Sequence, residues 1–278
     1  MKRGSIILCM LTAGLLGSSA AYAVPITNIA GVNVPIGPVT VTQNDYETLI
    51  TSTSSNFEGI GYVTTINDGP TLGYQYGQNN VFLYDEFSNF TIRAINDQSA
   101  TGGPVTVYLT GGELNYYTFG SDQLGTLLGG ETANQAVAQV KGGNLWLSLT
   151  PVAEDALGDT VIITIPAGSN LQNVGKSTAD ADLDVNLALN GAANGYFSTC
   201  GIVDSNAPAR DCLAGFADLS FSGGGQNNVQ GAFLIGGTDN LTANTKVPTT
   251  VPEPLTLSLF GAGLIGMGAL RRRKAAVA

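Results

Sequence analysis

Histidine is absent from the 278-residue chain, and charge is scarce: Asp, Glu, Lys and Arg make up 12% of it, against a usual share of about 25%. Without imidazole there can be no Ser-His-Asp or Cys-His machinery, no histidine-ligated zinc, and no side chain that ordinarily titrates near neutrality. Bases are scarcest in the body of the chain. Six of the 11 lie near the ends, leaving Arg93, Lys141, Lys176, Arg210 and Lys246 in residues 24–250 against 20 acids. A nucleic-acid partner is thereby excluded, because binding phosphates needs a basic footprint. Cysteine is nearly missing as well, with only Cys9, Cys200 and Cys212. Glycine runs the other way, at 37 residues, close to twice its usual share of about 7%.

Where bases and long apolar runs do occur, they mark the termini. Lys2 and Arg3 precede an apolar stretch from Ile6 to Leu16, and Ala21-Tyr22-Ala23 follows. Charge, apolar core and two small residues at the recognised positions make residues 1–23 a cleavable signal peptide, with Val24 the first residue of the mature chain. The competing reading is an amino-terminal anchor, for which the run is short against the roughly 20 residues of a spanning helix. Export removes Cys9 and leaves Cys200 and Cys212, which an oxidising compartment would join as one disulfide. Closing that loop is worth about 3 kcal/mol on the chain-entropy account. A redox thiol is the alternative, without Cys-x-x-Cys spacing or histidine to favour it.

The carboxyl terminus reads Val251-Pro252-Glu253-Pro254, an apolar run Leu255–Leu270, then Arg271-Arg272-Arg273-Lys274. As a helix the run spans about 24 Å against a hydrocarbon core near 30 Å. Snorkelling arginines and local thinning make up the difference. The basic cluster holds the end in the cytoplasm, so both termini predict a body on the far side of the inner membrane. Gly261, Gly263, Gly266 and Gly268 weaken the helix, as suits a temporary anchor that must unwind for a protease; small-residue packing against another membrane helix is the other reading.

Pro-Glu-Pro, short apolar helix and arginine cluster, in that order at the chain end, resembles the PEP-CTERM sorting domain of Gram-negative bacteria. The resemblance covers about a tenth of the chain. It implies an exosortase that reads Pro252, Glu253 and Pro254, an inner-membrane intermediate facing the periplasm, and release or display at the cell surface or in an exopolysaccharide matrix.

Residues 24–247 read as one exported all-β domain of the β-sandwich or jelly-roll kind, followed by a linker and motif over 248–254 and the anchor segment 255–278. Val105, Val107 and Leu109 alternate with Thr106, Tyr108 and Thr110, as do Leu145, Leu147 and Leu149 with Trp146, Ser148 and Thr150; both patterns predict half-buried strands. Turn signals such as Asn67-Asp68-Gly69-Pro70 and Gly142-Gly143-Asn144 separate the runs. Only Glu131–Lys141 has helical spacing.

Candidate chemistry in this body is thin. Asp180, Asp182 and Asp184 offer three carboxylates on one strand face for a weak calcium ion, against a plain solvated acidic face. The stretch has Val185 and Gly191 where an EF-hand loop needs Gly and Glu. Trp146, set opposite its leucine neighbours, is a candidate sugar platform unless a second layer covers it. Glu58, Glu113, Glu131 and Glu154 could serve a glycosidase only if folding paired two of them in a cleft. The leading expectation is a non-enzymatic structural or adhesive protein of a biofilm or floc, with no resident cofactor, met in turn by signal peptidase, exosortase and exopolysaccharide. A carbohydrate-binding module is the alternative, and a secreted polysaccharide hydrolase is less favoured.

Overall fold

The alternating runs become strands that pair in chain order. The computed structural model describes residues 24–55, 57–129, 132–153, 155–203 and 216–247. Its strands are β1 (Ile26–Ile29), β2 (Val32–Pro35), β3 (Gly37–Glu47), β4 (Phe57–Asp68), β5 (Thr71–Gln75), β6 (Phe82–Asp97), β7 (Val105–Phe119) and β8 (Asn144–Pro151). They continue as β9 (Asp159–Ile165), β10 (Thr178–Val185), β11 (Ile202–Val203), β12 (Phe216–Ala217), β13 (Leu219–Gly223), β14 (Gly225–Gln230) and β15 (Phe233–Thr245). Three short helices accompany them: α1 (Leu124–Leu127), α2 (Ala133–Val140) and α3 (Asn194–Phe197).

Eleven of the strands form one antiparallel sheet, and that sheet closes on itself. The path runs β3-β4-β6-β7-β8-β10-β13-β15, and β15 pairs back onto β3. Two staves are split. β8 pairs with the second half of β7 and β9 with its first half, so β9 prolongs the line of β8. β13 pairs with the second half of β15 and β14 with its first half. β5 is a flap on β4. The result is an eight-stave up-and-down barrel, whose closure leaves few open edges to pair with other chains. The expected all-β class is present. The jelly-roll expectation is replaced by a meander, because neighbouring staves follow one another along the chain with no Greek-key crossover. The turn signals were short and local, which suits hairpins.

Alternation sorts the faces. Val39, Val41, Val63, Leu109, Ile163, Ala181, Leu183 and Leu241 point into one core. Outside, β3 presents Thr40 and Thr42 and β15 presents Thr238, Asn240, Thr242 and Asn244, all exposed or half-exposed. A lipid-facing barrel would show the reverse, an apolar outside. The β1–β2 hairpin adds Val32 and Val34 to the core at the end where Trp146 and Phe197 lie.

Helix α2 starts at a capping box, with Thr132 accepting from the Gln135 N–H and Gln135 reaching back. Its Ala136, Val137 and Val140 cover Ile60, Tyr84 and Phe233 on the barrel's outer face. The helical spacing predicted for Glu131–Lys141 is thus met, trimmed at both ends. Among the described residues no helix is long and apolar enough to cross a membrane. The signal peptide with Ala21 and Ala23, the motif Pro252, Glu253 and Pro254, the 255–270 helix and the basic stop Arg271, Arg272, Arg273 and Lys274 lie outside the described residues.

Candidate functional site

The unexpected feature of the barrel is a group of acids on its inner face. In β3 the inward positions run Val39, Val41, Gln43, Asp45. Across the sheet Asp45 stands beside Gly61, and Gly61 beside Asp85. The glycine leaves a side-chain gap in which the two carboxyls meet: a Cβ at Gly61 would collide with Oδ1 of Asp45 and both oxygens of Asp85. Asp239 arrives from β15, against Gly223, and accepts from the Gly224 N–H at 2.8 Å. Asp45, Asp85 and Asp239 are each no more than 2% exposed.

The cluster is held by very few donors. Asp45 Oδ2 accepts from Gln43 Nε2 at 2.9 Å, and Gln43 Oε1 accepts from the Tyr116 hydroxyl at 2.6 Å. Among the described residues, Asp45 Oδ1 and both oxygens of Asp85 have no hydrogen-bond partner. The carboxyls of Asp45 and Asp85 instead face one another across the gap that Gly61 leaves. Such an approach favours the protonated form, since two bare carboxylates repel. Burial is the first cause, and neighbouring acids the next, that hold Asp45 and Asp85 well above the ordinary carboxyl range. Glu47, buried near Asp239, is pushed up to about 8.

Beside these acids the barrel encloses a cavity of about 50 Å³, walled on its other side by Phe57, Leu114, Val161, Ile163, Ala181 and Leu183. At roughly 10–15 Å³ for each water-sized probe, this is space for a few waters and far below the ~300 Å³ at which ligand pockets begin. A cavity of this size does not admit a sugar ring. Of the glutamates considered for a glycosidase pair, Glu113 faces Lys141 Nζ at 3.1 Å and Asn89 Nδ2 at 2.7 Å. Burial raises the pKa of Glu58, on β4, against the lowering charge of the same Lys141, and Glu131 and Glu154 lie outside the described residues.

A larger recess opens on the outside. Residues of β3, β14 and β15, with Lys176, bound a cleft of about 610 Å³. Four glycines, Gly224, Gly225, Gly236 and Gly237, line it together with Asn44, Asp45, Tyr46, Gln226, Asn228 and Thr238.

Trp146 requires correction as an exposed platform. It is 1% exposed, its Nε1 donates to Ile29 O at 3.0 Å, and its ring packs edge-on against Phe197 and Tyr116. A register shift between Tyr116 and Tyr117 breaks the simple alternation of β8, and the β1–β2 hairpin covers the indole. Asp180, Asp182 and Asp184 do share one face of β10, but their settings grade from exposed through half-buried to 2% exposed. Asp180 lies opposite Ser222, Asp182 opposite Ser220 and Asp184 opposite Thr150. Among the described residues no three or more Asp, Glu or Cys side chains are grouped to hold a metal ion. The strand ends at Val185, and Leu187 and Leu189 beyond it are exposed. Cys200 is half-buried, and its N–H donates to Asp218 Oδ1 at 2.7 Å; its expected partner Cys212 lies outside the described residues.

Sequence reasoning missed the inner acids, although a signal was present. Val39, Val41, Gln43 and Asp45 share one strand parity, as do Leu83, Asp85 and Phe87, so each acid sits on the apolar face of its own pattern. Comparison with known proteins bears on the tail: residues 250–274 match the PEP-CTERM protein-sorting motif. No curated protein and no solved structure matches the chain.

Proposed function

We propose that this chain, whose PEP-CTERM sorting motif marks it as an exported protein handled by an exosortase, is a non-enzymatic structural or adhesive component of the cell surface or exopolysaccharide matrix. The motif at residues 250–274 carries the reading. The match ends with the basic cluster at Lys274, so it spans recognition sequence, apolar segment and stop together. A signal peptidase acts at Ala23, the body crosses the inner membrane, and the tail holds it there until the exosortase acts near Pro254.

The body supports this reading by its build. Its sheet is closed, its outer strand faces carry Thr and Asn, and its buried acids are sealed from any polymer. A secreted hydrolase would need two carboxyls converging in a cleft, and of the residues bounding the external recess Asp45 alone is acidic, its carboxyl turned into the barrel.

Fractionation with intact mass, in a host with and without its exosortase, tests the proposal. The expected mature chain begins at Val24, ends near Pro254 and leaves the inner membrane, with Cys200 and Cys212 oxidised. Replacing Pro252, Glu253 and Pro254 by alanine should leave the tail attached and most of the protein in the membrane fraction. A full-length product in the cytosol would refute the proposal.

A further inference from the structure

We infer that the external cleft between β3, β14 and β15 binds a neutral, hydroxyl-rich saccharide. Its volume, about 610 Å³, lies within the roughly 300–1,000 Å³ common for small-molecule sites. One or two sugar rings fit such a space.

On the outer face, a Cβ on Gly236 would strike the side-chain amide of Asn228. Glycines here leave a recess where most sheets carry side chains. The rest of the lining carries groups that both donate and accept hydrogen bonds without charge: the amides of Asn44, Gln226 and Asn228 and the hydroxyl of Thr238. Part of this wall is fixed in advance. Thr238 Oγ1 donates to Asn44 Oδ1 at 2.8 Å, and Asn44 Nδ2 donates to the Tyr62 hydroxyl at 2.8 Å. Gln226 and Asn228 are exposed, while Tyr46 is half-exposed and supplies an aromatic surface for the apolar face of a ring.

The same composition disfavours other ligands. An apolar chain would leave the amides unpaired. An anionic polymer would meet a protein of formal charge −10 with Lys176 as the single base lining the cleft. The carboxylate of Asp45, whose residue also borders the cleft, is turned into the barrel and engaged by Gln43. Neutral sugars, with a hydroxyl at nearly every carbon, match what is left.

This inference gives the proposed matrix role its contact surface, and so rests on that reading; the test separates the two. The full chain, purified from an exporting host, is run through native gels containing dextran, a soluble chitin derivative or alginate. Retardation by a neutral polymer is expected, with alginate weaker. Gln226→Ala combined with Asn228→Ala should weaken retention about tenfold or more. Thr238→Val, which strips the partner from the Asn44 amide, should act in the same direction through a different residue. Thr106→Ala, on the outside of β7, serves as a control that should bind normally. No retardation by either neutral polymer, stronger retention by alginate, or unchanged retention in the double variant with Thr238→Val also unaffected would overturn the inference. Correct trimming of the tail in the fractionation experiment alongside such a failure would remove the cleft and leave the delivery reading standing.

Discussion

The two walls of the barrel solve the problem of a filled interior in opposite ways. On one side β8, β9, β10 and β13 bring Leu149, Val161, Ile163, Ala181 and Leu183 to the core. On the other, β15, β3, β4 and β6 bring Asp239, Asp45, Gly61 and Asp85 to a similar level. The first wall gains by removing hydrocarbon from water, at roughly 25 cal/mol per Å², and that gain does not depend on pH. The second buries groups whose ionised forms could be accommodated only at high cost. Burial and neighbouring acids hold its carboxyls well above their ordinary range, so its contribution must vary with pH. The walls face each other across a small cavity, and changes to them should separate cleanly.

The largest effect is expected on the apolar wall. Leu183 is 2% exposed and lines the cavity, so Leu183→Ala enlarges an existing void. The loss should be about 2–5 kcal/mol. Chemical denaturation at pH 5 and pH 8 checks it, with nearly the same loss at both. A loss that depended strongly on pH would mean that the walls are coupled and the comparison false.

Next comes Gly61→Ala on the acid wall, where the new methyl has no room beside the two carboxyls. Overpacking of this kind costs about 1–3 kcal/mol. Here the displaced neighbours are two buried carboxyls that face each other, so the penalty should appear together with a shallower pH dependence. Gly69→Ala is not an equivalent control, since Gly69 has a φ of 51° and a backbone conformation of its own. A loss from Gly61→Ala with the pH dependence intact would place the strain elsewhere.

How much of this was legible beforehand follows from what a strand pattern encodes. Val105, Val107 and Leu109 announced their inward face because period-two alternation is a local property. The helix was legible for the same reason, since the spacing over Glu131–Lys141 is local, although its Thr132–Gln135 cap was not read from it. Closure was not legible: the pairing of β3 with β15 joins residues such as Val41 and Leu241, and no local signal carries that distance. Trp146 was misread because a single register shift moves a side chain out of the simple alternation, and because its cover comes from Ile29, far back in the chain. The acids were half legible. Asp45 and Asp85 stood on apolar parities, but their meeting depends on a glycine from the strand between them. The external cleft depends on four glycines and on neighbours from three strands, and only folding brings those together. By contrast, the tail motif is contiguous and could be read directly.

The subtlest expected effect is the pH profile of the acid wall. Asp45 and Asp85 have folded-state affinities for protons above those of the unfolded chain, and Glu47 is pushed up to about 8. The folded state therefore binds more protons than the unfolded state once the pH exceeds ~4, where unfolded Asp and Glu ionise. Their stabilising effect is complete below that point and is lost as pH rises through the folded values, so the melting temperature should fall steadily from pH 5 to pH 9. Among the groups facing Asp85, Asp239 and Glu86 disfavour its charge in the same sense, whereas Asp45 acts against them. Asp122 works oppositely, lowered by the Leu124 N–H and the hydroxyls of Tyr84 and Tyr76. Its stabilising effect is lost in acid, which should turn the profile over below pH 4. Asp85→Asn keeps the shape of the protonated acid and cannot ionise. It should leave stability near pH 5 within about 1 kcal/mol, the worth of one exchanged hydrogen bond, and flatten the alkaline limb by a similar amount. Thermal melts of both chains across that range decide the matter: an alkaline limb equally steep in Asp85→Asn would show that the inner acids are not what the pH acts on.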